Sequence, residues 1–395
     1  MRTHLIASLA LTLAASPIAA AAFVAGDIYL VSASLVDAPG GGMPGIYHFS
    51  PPNVSGEVFK LLPAGSFGPG TGVSNPQTAT YDPFRGKIMV PAAFGLIGTV
   101  DSAGTLGTIS APNVEVQAFL APGPGGIVYA LTGVTARYLD ANNVVHPLLD
   151  VGGGAQVNVL GTGMHTLNSI IYDASTNSLI ALGQFNDQTG IVRVPLNAAG
   201  TQAAGPLVFV HNDLVPGIGE NPVGISAGPS GSIFVAYDVN GGGAMPLLQT
   251  VNPTTLVATT FAVTSGFNNA AETTGSWTPS LGASGGAVVL DSLLDVLRAY
   301  SFGASGPGTI VASGASAPSW AGESSRSLTI GGTLNGSVAV PGDLNGDGHV
   351  NAADLSILLG AWGPCGNCSG CVADFDHDCD VDAADLSVLL GYWGT

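Results

Sequence analysis

Nine of the chain's 26 acidic residues fall between Asp343 and Asp385, a stretch that contains no lysine or arginine. A run of one charge sign is ordinarily a solvated tail, but these carboxylates are regularly spaced. Residues 343–363, DLNGDGHVNAADLSILLGAWG, and residues 374–394, DFDHDCDVDAADLSVLLGYWG, share 13 identities in 21 positions at an offset of 31. Each copy places oxygen-bearing side chains at positions 1, 3, 5, 9 and 12 of a twelve-residue loop. In the first copy these are Asp343, Asn345, Asp347, Asn351 and Asp354; in the second they are Asp374, Asp376, Asp378, Asp382 and Asp385. Calcium takes about 6 to 8 oxygens at about 2.3 to 2.6 Å, so a short loop must curl until alternate side chains converge on the ion. Position 7 contributes a main-chain carbonyl, which makes His349 and Asp380 ligands through the backbone. The pattern therefore predicts two Ca2+ sites. Gly348 stands at position 6, where the loop reverses sharply. Cys379 stands there in the second copy, and the second site is expected to be the weaker.

The elements that must position these ligands are brief helices behind each loop. Leu355, Leu358, Leu359 and Trp362, and then Leu386, Leu389, Leu390 and Trp393, recur at helical spacing. The two faces are expected to pack on each other, with Val350 and Val381 at position 8 pairing the loops. A loop with an exiting helix and no entering helix, repeated twice between residues 343 and 395, resembles the type I dockerin domain. That resemblance implies a module folded by calcium and gripped by a cohesin-like domain on another protein, or by a cell-surface component. It places partner recognition at loop positions 10 and 11, here Ala352, Ala353, Ala383 and Ala384. It also implies that two near-identical helices permit docking in either of two orientations. Aspartate at position 12, where sensor loops carry glutamate, is common in the family.

Cys365, Cys368, Cys371 and Cys379 are the four cysteines of the chain. The CxxCxxC spacing is compatible with an iron–sulfur cluster, but an even count in an exported chain favours disulfides. Three pairings are open. Export itself is read from residues 1–22: Arg2 and His4, an apolar run from Leu5 to Leu13, and then Ala19, Ala20, Ala21 and Ala22 form a signal-peptide order. The apolar run is shorter than a membrane span needs, and glycine or polar residues interrupt every later one. The expected location is extracellular. A formal charge of −18 with only eight Lys and Arg excludes nucleic acid and anionic lipid as expected partners.

Residues 23–332 read as mainly β. The chain has 58 Gly, 26 Pro and 9% charged residues, with 46% hydrophobic content sufficient to bury a large core. Apolar strands recur in pairs about tight turns: Thr78–Pro83 before Lys87–Val90, Gln117–Leu120 before Ile127–Ala130, Ser169–Asp173 before Ser178–Leu182, Val223–Ser226 before Ile233–Ala236, and Ser280–Leu281 before Ala287–Leu290. The turns near Asp82, Ala121, Asp173, Gly228 and Gly282 are 39, 52, 55 and 54 residues apart, a period suited to propeller blades. With an opening unit at Ile28–Leu62, the expectation is a β-propeller of about six blades, closed by Ser327–Ile330 pairing with the first. A β-sandwich or β-helix is the alternative. Residues 333–342 serve as a linker to the small α-helical calcium-binding, dockerin-like module at 343–395.

Catalytic chemistry is sparse. Asp82 and Asp173 occupy equivalent turn positions and are expected to cap turns. His165 beside Thr166 and Asn168, and His211 beside Asn212 and Asp213, read as loop residues. Arg137, Arg193 and Arg298 read as strand-edge charges. No GxSxG, HExxH or P-loop is present. The leading reading is non-catalytic: a propeller for binding or display, carried to a partner or surface by the C-terminal module. The competing reading is a carbohydrate-active enzyme, a polysaccharide hydrolase or lyase with its site in the propeller.

Overall fold

The computed structural model describes residues 23, 28–33, 45–49, 59–60, 78–92, 94–102, 104–115, 117–164, 166–185, 188–212, 219–228, 232–240, 247–263, 273–278, 286–291, 296–301, 309–313, 325–330, 342, 344, 350–364, 373, 375 and 380–393. The first sheet holds β1 (Ile28–Ala33), β2 (Gly45–Phe49) and β3 (Phe59–Lys60). The second holds β4 (Thr80–Asp82), β5 (Lys87–Ala92), β6 (Leu96–Asp101) and β7 (Leu106–Ser110). The third holds β8 (Phe119–Pro122), β9 (Val128–Leu131), β10 (Ala136–Leu139) and β11 (Val145–Pro147). The fourth follows with β12 (Thr166–Asp173), β13 (Ser178–Phe185), β14 (Gln188–Pro195) and β15 (Val208–Asn212). The fifth has β16 (Gly219–Ala227), β17 (Ile233–Asn240), β18 (Leu247–Val251) and β19 (Ala258–Val263). The sixth has β20 (Thr273–Thr278), β21 (Gly286–Asp291), β22 (Val296–Ser301) and β23 (Thr309–Ser313).

Every one of these sheets is an antiparallel meander of sequential strands, and β24 (Ser325–Ile330) adds a fourth strand to the first sheet beside β1. Its register runs from Ile28 opposite Ile330 to Ala33 opposite Ser325. The last long strand thus closes onto the first, and the arrangement is mainly β and propeller-like. The described strand that pairs with β21 on this side is Thr273–Thr278, and Ser280–Leu281 lies outside the described residues.

The cores lie between successive sheets, and β13 shows why the strands read as continuous apolar runs. Leu179 and Ala181 share one core with Tyr129 and Leu131 of the third sheet, while Ile180 and Leu182 share another with Ile225, Ile233 and Val235 of the fifth. Successive side chains of a strand point to opposite faces, so a sheet covered on both faces needs apolar residues at every position. The same division holds in β9, where Val128 and Ala130 join Met89 and Ile97 of the second sheet. Each fully buried aliphatic side chain contributes roughly 1.5 to 3 kcal/mol relative to exposure. Gly123 is required by this packing, since a Cβ there would stand 2.4 Å from the ring of Tyr129. The Tyr129 hydroxyl donates to the Gly200 carbonyl at 2.7 Å.

Polar ties between sheets come from arginines. Arg85, in the turn after β4, donates from Nη1 to Asp82 Oδ2 at 2.6 Å and to the Gly126 carbonyl at 3.0 Å. Its Nη2 reaches the Asp140 carbonyl at 2.6 Å and its Nε reaches Asn143 Oδ1 at 2.8 Å, both in the third sheet's outer hairpin. Arg193 is not an edge charge: β14 lies inside its sheet, and Nη1 donates to the carbonyls of Pro253 and Thr254, in the turn between β18 and β19, at 3.1 and 2.9 Å. Arg137 likewise sits on β10, between β9 and β11, with its Nε buried.

The C-terminal segment holds α1 (Ala352–Gly360), β25 (Gly363–Pro364), β26 (Asp380–Val381) and α2 (Ala383–Gly391). No helix of the described residues is long and apolar enough to cross a membrane.

Candidate metal centre

Both helices begin where the acidic loops end, and the carboxylate at loop position 12 holds each junction together. Asp382 caps α2 by accepting the Ala384 N–H at 2.7 Å, and Asp385 Oδ2 accepts the Asp382 N–H at 2.8 Å, a reciprocal capping box. The other oxygen, Asp385 Oδ1, accepts the Phe375 N–H at 2.5 Å, ten residues earlier in the chain. The first copy repeats this geometry. Asp354 Oδ2 accepts the Asn351 N–H at 2.9 Å and Oδ1 accepts the Leu344 N–H at 2.8 Å. Both carboxylates are 0% exposed. A carboxylate is removed from water only where hydrogen bonds or charge compensate it.

A small core supports the loops. Val350, Leu358, Ala373, Val381 and Leu389 are buried together, with Leu344, Leu355, Phe375 and Leu386 packed partly against them. Gly342 enters this packing with φ +100, and a Cβ there would lie 3.0 Å from Leu389 Cα and 3.2 Å from Val350 Cγ1. Val350 and Val381 share this buried core. The expected strand-like pairing between them is replaced by an antiparallel pair in which Val381 faces Gly363 and Asp380 faces Pro364, tying the exit of α1 to the second loop. The helix faces are also narrower than expected. Leu358 and Leu389 are buried, but Leu359, Trp362, Leu390 and Trp393 are 53%, 48%, 52% and 45% exposed. Asp354 with Leu358, and Asp385 with Leu389, lie four residues apart on the buried side of each helix, and the leucine and tryptophan that follow stay outside so small a core.

Among the expected ligands, Asn351, Asp354, Asp380, Asp382 and Asp385 are described, while Asp343, Asn345, Asp347, His349, Asp374, Asp376 and Asp378 lie outside the described residues. Among the described residues no three His, Cys, Asp or Glu side chains converge on one point. The described part fits a hard cation: its side-chain donors are all oxygen, and two loops of like sequence end in identically held buried carboxylates. Ala352, Ala383 and Ala384 are exposed at the start of their helices, and Ala353 lies in α1. Cys365, Cys368, Cys371 and Cys379 lie outside the described residues.

In the β region, Asp82 and Asp173 cap turns. Asp82 Oδ1 accepts the Phe84 N–H at 3.1 Å; burial pushes its carboxyl above the usual range, and Arg85 pulls it back down. Asp173 accepts the Ser175 and Thr176 N–H groups at 3.3 and 3.1 Å, together with both hydroxyls. Thr166 Oγ1 donates to Asn168 Oδ1 at 2.9 Å; His165 and Asp213, and the side chains of His211, Asn212 and Arg298, lie outside what the structure describes. A further recurring device is an Asx side chain that starts an outer hairpin. Asp101 Oδ1 holds the Thr105 N–H, Asp140 Oδ1 the Val144 N–H and Asn197 Oδ1 the Thr201 N–H, at 2.8, 2.9 and 2.9 Å. A signal for it was present in the sequence, an Asp or Asn three residues before a Gly or Asn. Those third residues, Gly104, Asn143 and Gly200, have φ of 78, 66 and 69.

Residues 341–392 match the family model described as the dockerin type I domain. Dockerin domains bind calcium and cohesin partners. Among curated proteins none matches the chain. Among solved structures, the chain is similar to a Penicillium chrysogenum alpha-L-arabinanase complexed with arabinobiose at 15% identity and TM-score 0.39, covering 57% of this chain and 78% of that one. It is similar to the Pseudomonas aeruginosa periplasmic gluconolactonase at 13% identity and TM-score 0.42, covering 72% and 94%. It is similar to TolB from Acinetobacter baumannii at 12% identity and TM-score 0.41, covering 67% and 61%.

Proposed function

We propose that this chain is an exported protein in two parts: a β-propeller of six four-stranded blades that serves binding or display, and a dockerin-like module that binds two calcium ions and docks the whole to a cohesin-like domain or a cell-surface component. The observation that carries the reading is the pair of acidic loops closed alike by Asp354 and Asp385 inside the segment that matches the dockerin model. Closure of β24 on β1 supports the ring. The first calcium site is the tighter, because Gly348 permits the loop reversal that Cys379 hinders. The signal-peptide order of residues 1–22 supports export, and export supports disulfides among the four cysteines.

In this reading, metal binding and folding of the module are coupled, since nine carboxylates without a basic neighbour repel one another over a small core. A polysaccharide hydrolase or lyase would need two facing carboxylates about 5 to 10 Å apart. Asp82 and Asp173, at equivalent turn positions, are instead held by Arg85 and by turn N–H groups. The test is binding of the full chain to a panel of immobilised type I cohesin domains, with calcium and with chelator. Calcium-dependent, saturable binding supports the reading; no binding to any cohesin by calcium-loaded, folded protein contradicts the docking half of it.

A further inference from the structure

The geometry points to Asp354 and Asp385 as positioning residues that close the two loops through the main chain, a role separate from that of a cation ligand; the inference rests on the calcium reading above. Each carboxylate grips N–H groups from opposite ends of its own loop: Leu344 and Asn351 at 2.8 and 2.9 Å, and Phe375 and Asp382 at 2.5 and 2.8 Å. The donors stand at loop positions 2 and 9 in both copies although their side chains differ, so what repeats is a bond pattern between main chain and carboxylate. The bond to position 9 is the ordinary reach of a third helical residue to its N-cap. The bond to position 2 comes from ten residues earlier and belongs to no helix cap. It draws the entry of the loop against its exit.

The length of the side chain matters to this arrangement. Capping boxes ordinarily place Glu or Gln at the third position. A glutamate here would carry the carboxylate about 1.5 Å farther from the helix backbone. Both aspartates are 0% exposed, so no solvent-side room exists for the longer arm to fold away. An amide would accept one N–H and turn its own NH2 toward the other. Aspartate alone satisfies both ends of the loop. Bonds that already hold Leu344 to Asp354 and Phe375 to Asp385 reduce the ordering that cation binding must impose.

The experiment uses the full chain with Asp354→Glu and Asp354→Asn, keeping the second copy as an internal reference. Calcium affinity is measured by titration calorimetry, and hydrogen exchange of the Leu344 and Asn351 amides is read by residue-resolved NMR at saturating calcium. Glutamate is the bidentate ligand at this position in sensor loops, so a pure ligand role keeps or raises affinity in Asp354→Glu and leaves both amides protected. Loop closure predicts about tenfold or greater loss of affinity at the first site in both variants, and about tenfold or faster exchange at both amides, since the unmade bonds are buried. Phe375 and Asp382 should be unchanged. A glutamate variant with wild-type affinity and protection overturns the inference and leaves the calcium reading standing. If the unsubstituted chain binds no calcium, that reading falls; exchange in the metal-free chain then decides, with faster exchange in Asp354→Asn supporting loop closure and unchanged exchange overturning it. Should Asp354→Glu leave the first copy unfolded, Asp385→Glu reads the same two quantities at Phe375 and Asp382.

Discussion

From β4 to β18 the chain is stabilised by sheets whose two faces are both buried, with arginines such as Arg85 and Arg193 donating across the seams. In the C-terminal segment a small apolar core takes in Leu358 of α1 and Leu389 of α2, and carboxylates hold the junctions of the loops. In the first region burial itself supplies the driving force, and charges serve as ties. In the second, apolar burial is slight and the charges are the organising element. One chain thus holds two regions together by different means, the first by burial on both faces of its sheets and the second by carboxylate-to-backbone bonds around a small core.

Substitutions can break or sharpen that contrast. Asp343→Ala should have the largest effect: calcium stoichiometry falls from two to one in titration calorimetry, while the unfolding of the β region is unchanged. Arg85→Ala tests the opposite side. It strands the buried Asp82 carboxylate without its charged partner, and a loss of about 3 kcal/mol of stability is expected, read as a lower denaturant midpoint of the β region. Calcium binding should not respond. Gly342→Ala places a methyl 3.0 Å from Leu389 Cα at a positive φ. It should destabilise the module by about 1 to 3 kcal/mol, measured as a lower melting point of the helical dichroism at fixed calcium.

The smallest effect is expected at Asp140, whose carboxyl is held below the usual range, chiefly by the Val144 N–H and also by His146 and the Asn142 N–H. A carboxyl with a lowered folded value contributes stability above its unfolded value and loses it as pH falls through the folded one. Asp140→Asn should therefore melt slightly below the unsubstituted chain at neutral pH, and the two should converge in acid.

The parts of this architecture that repeat were legible in the sequence. Tyr81-Asp82 and Tyr172-Asp173 announced equivalent turns, and the apolar pairs beside them became β4–β5 and β12–β13. The offset of 31 announced a second loop closed like the first. What depends on distant partners was not legible. Arg85 finds Asn143 at a separation of 58 residues, and no local pattern marks an arginine as a tie between sheets rather than an edge charge. Val381 carries the apolar character of a paired position, but that character does not name its partner, and Gly363 took the place expected for Val350. Helical spacing put Leu359 and Trp362 on a face with Leu358, yet a core this small closes over Leu358 and leaves the others outside.

The proposed coupling of calcium binding to folding of the C-terminal segment is tested most directly by scanning calorimetry of the full chain with calcium and with chelator, followed in parallel by helical circular dichroism. Two transitions are expected in calcium. Chelator should abolish the one that carries the helical signal and leave the β transition at its original temperature. A helical signal that survives chelation, or a single transition that shifts as one, would contradict the account.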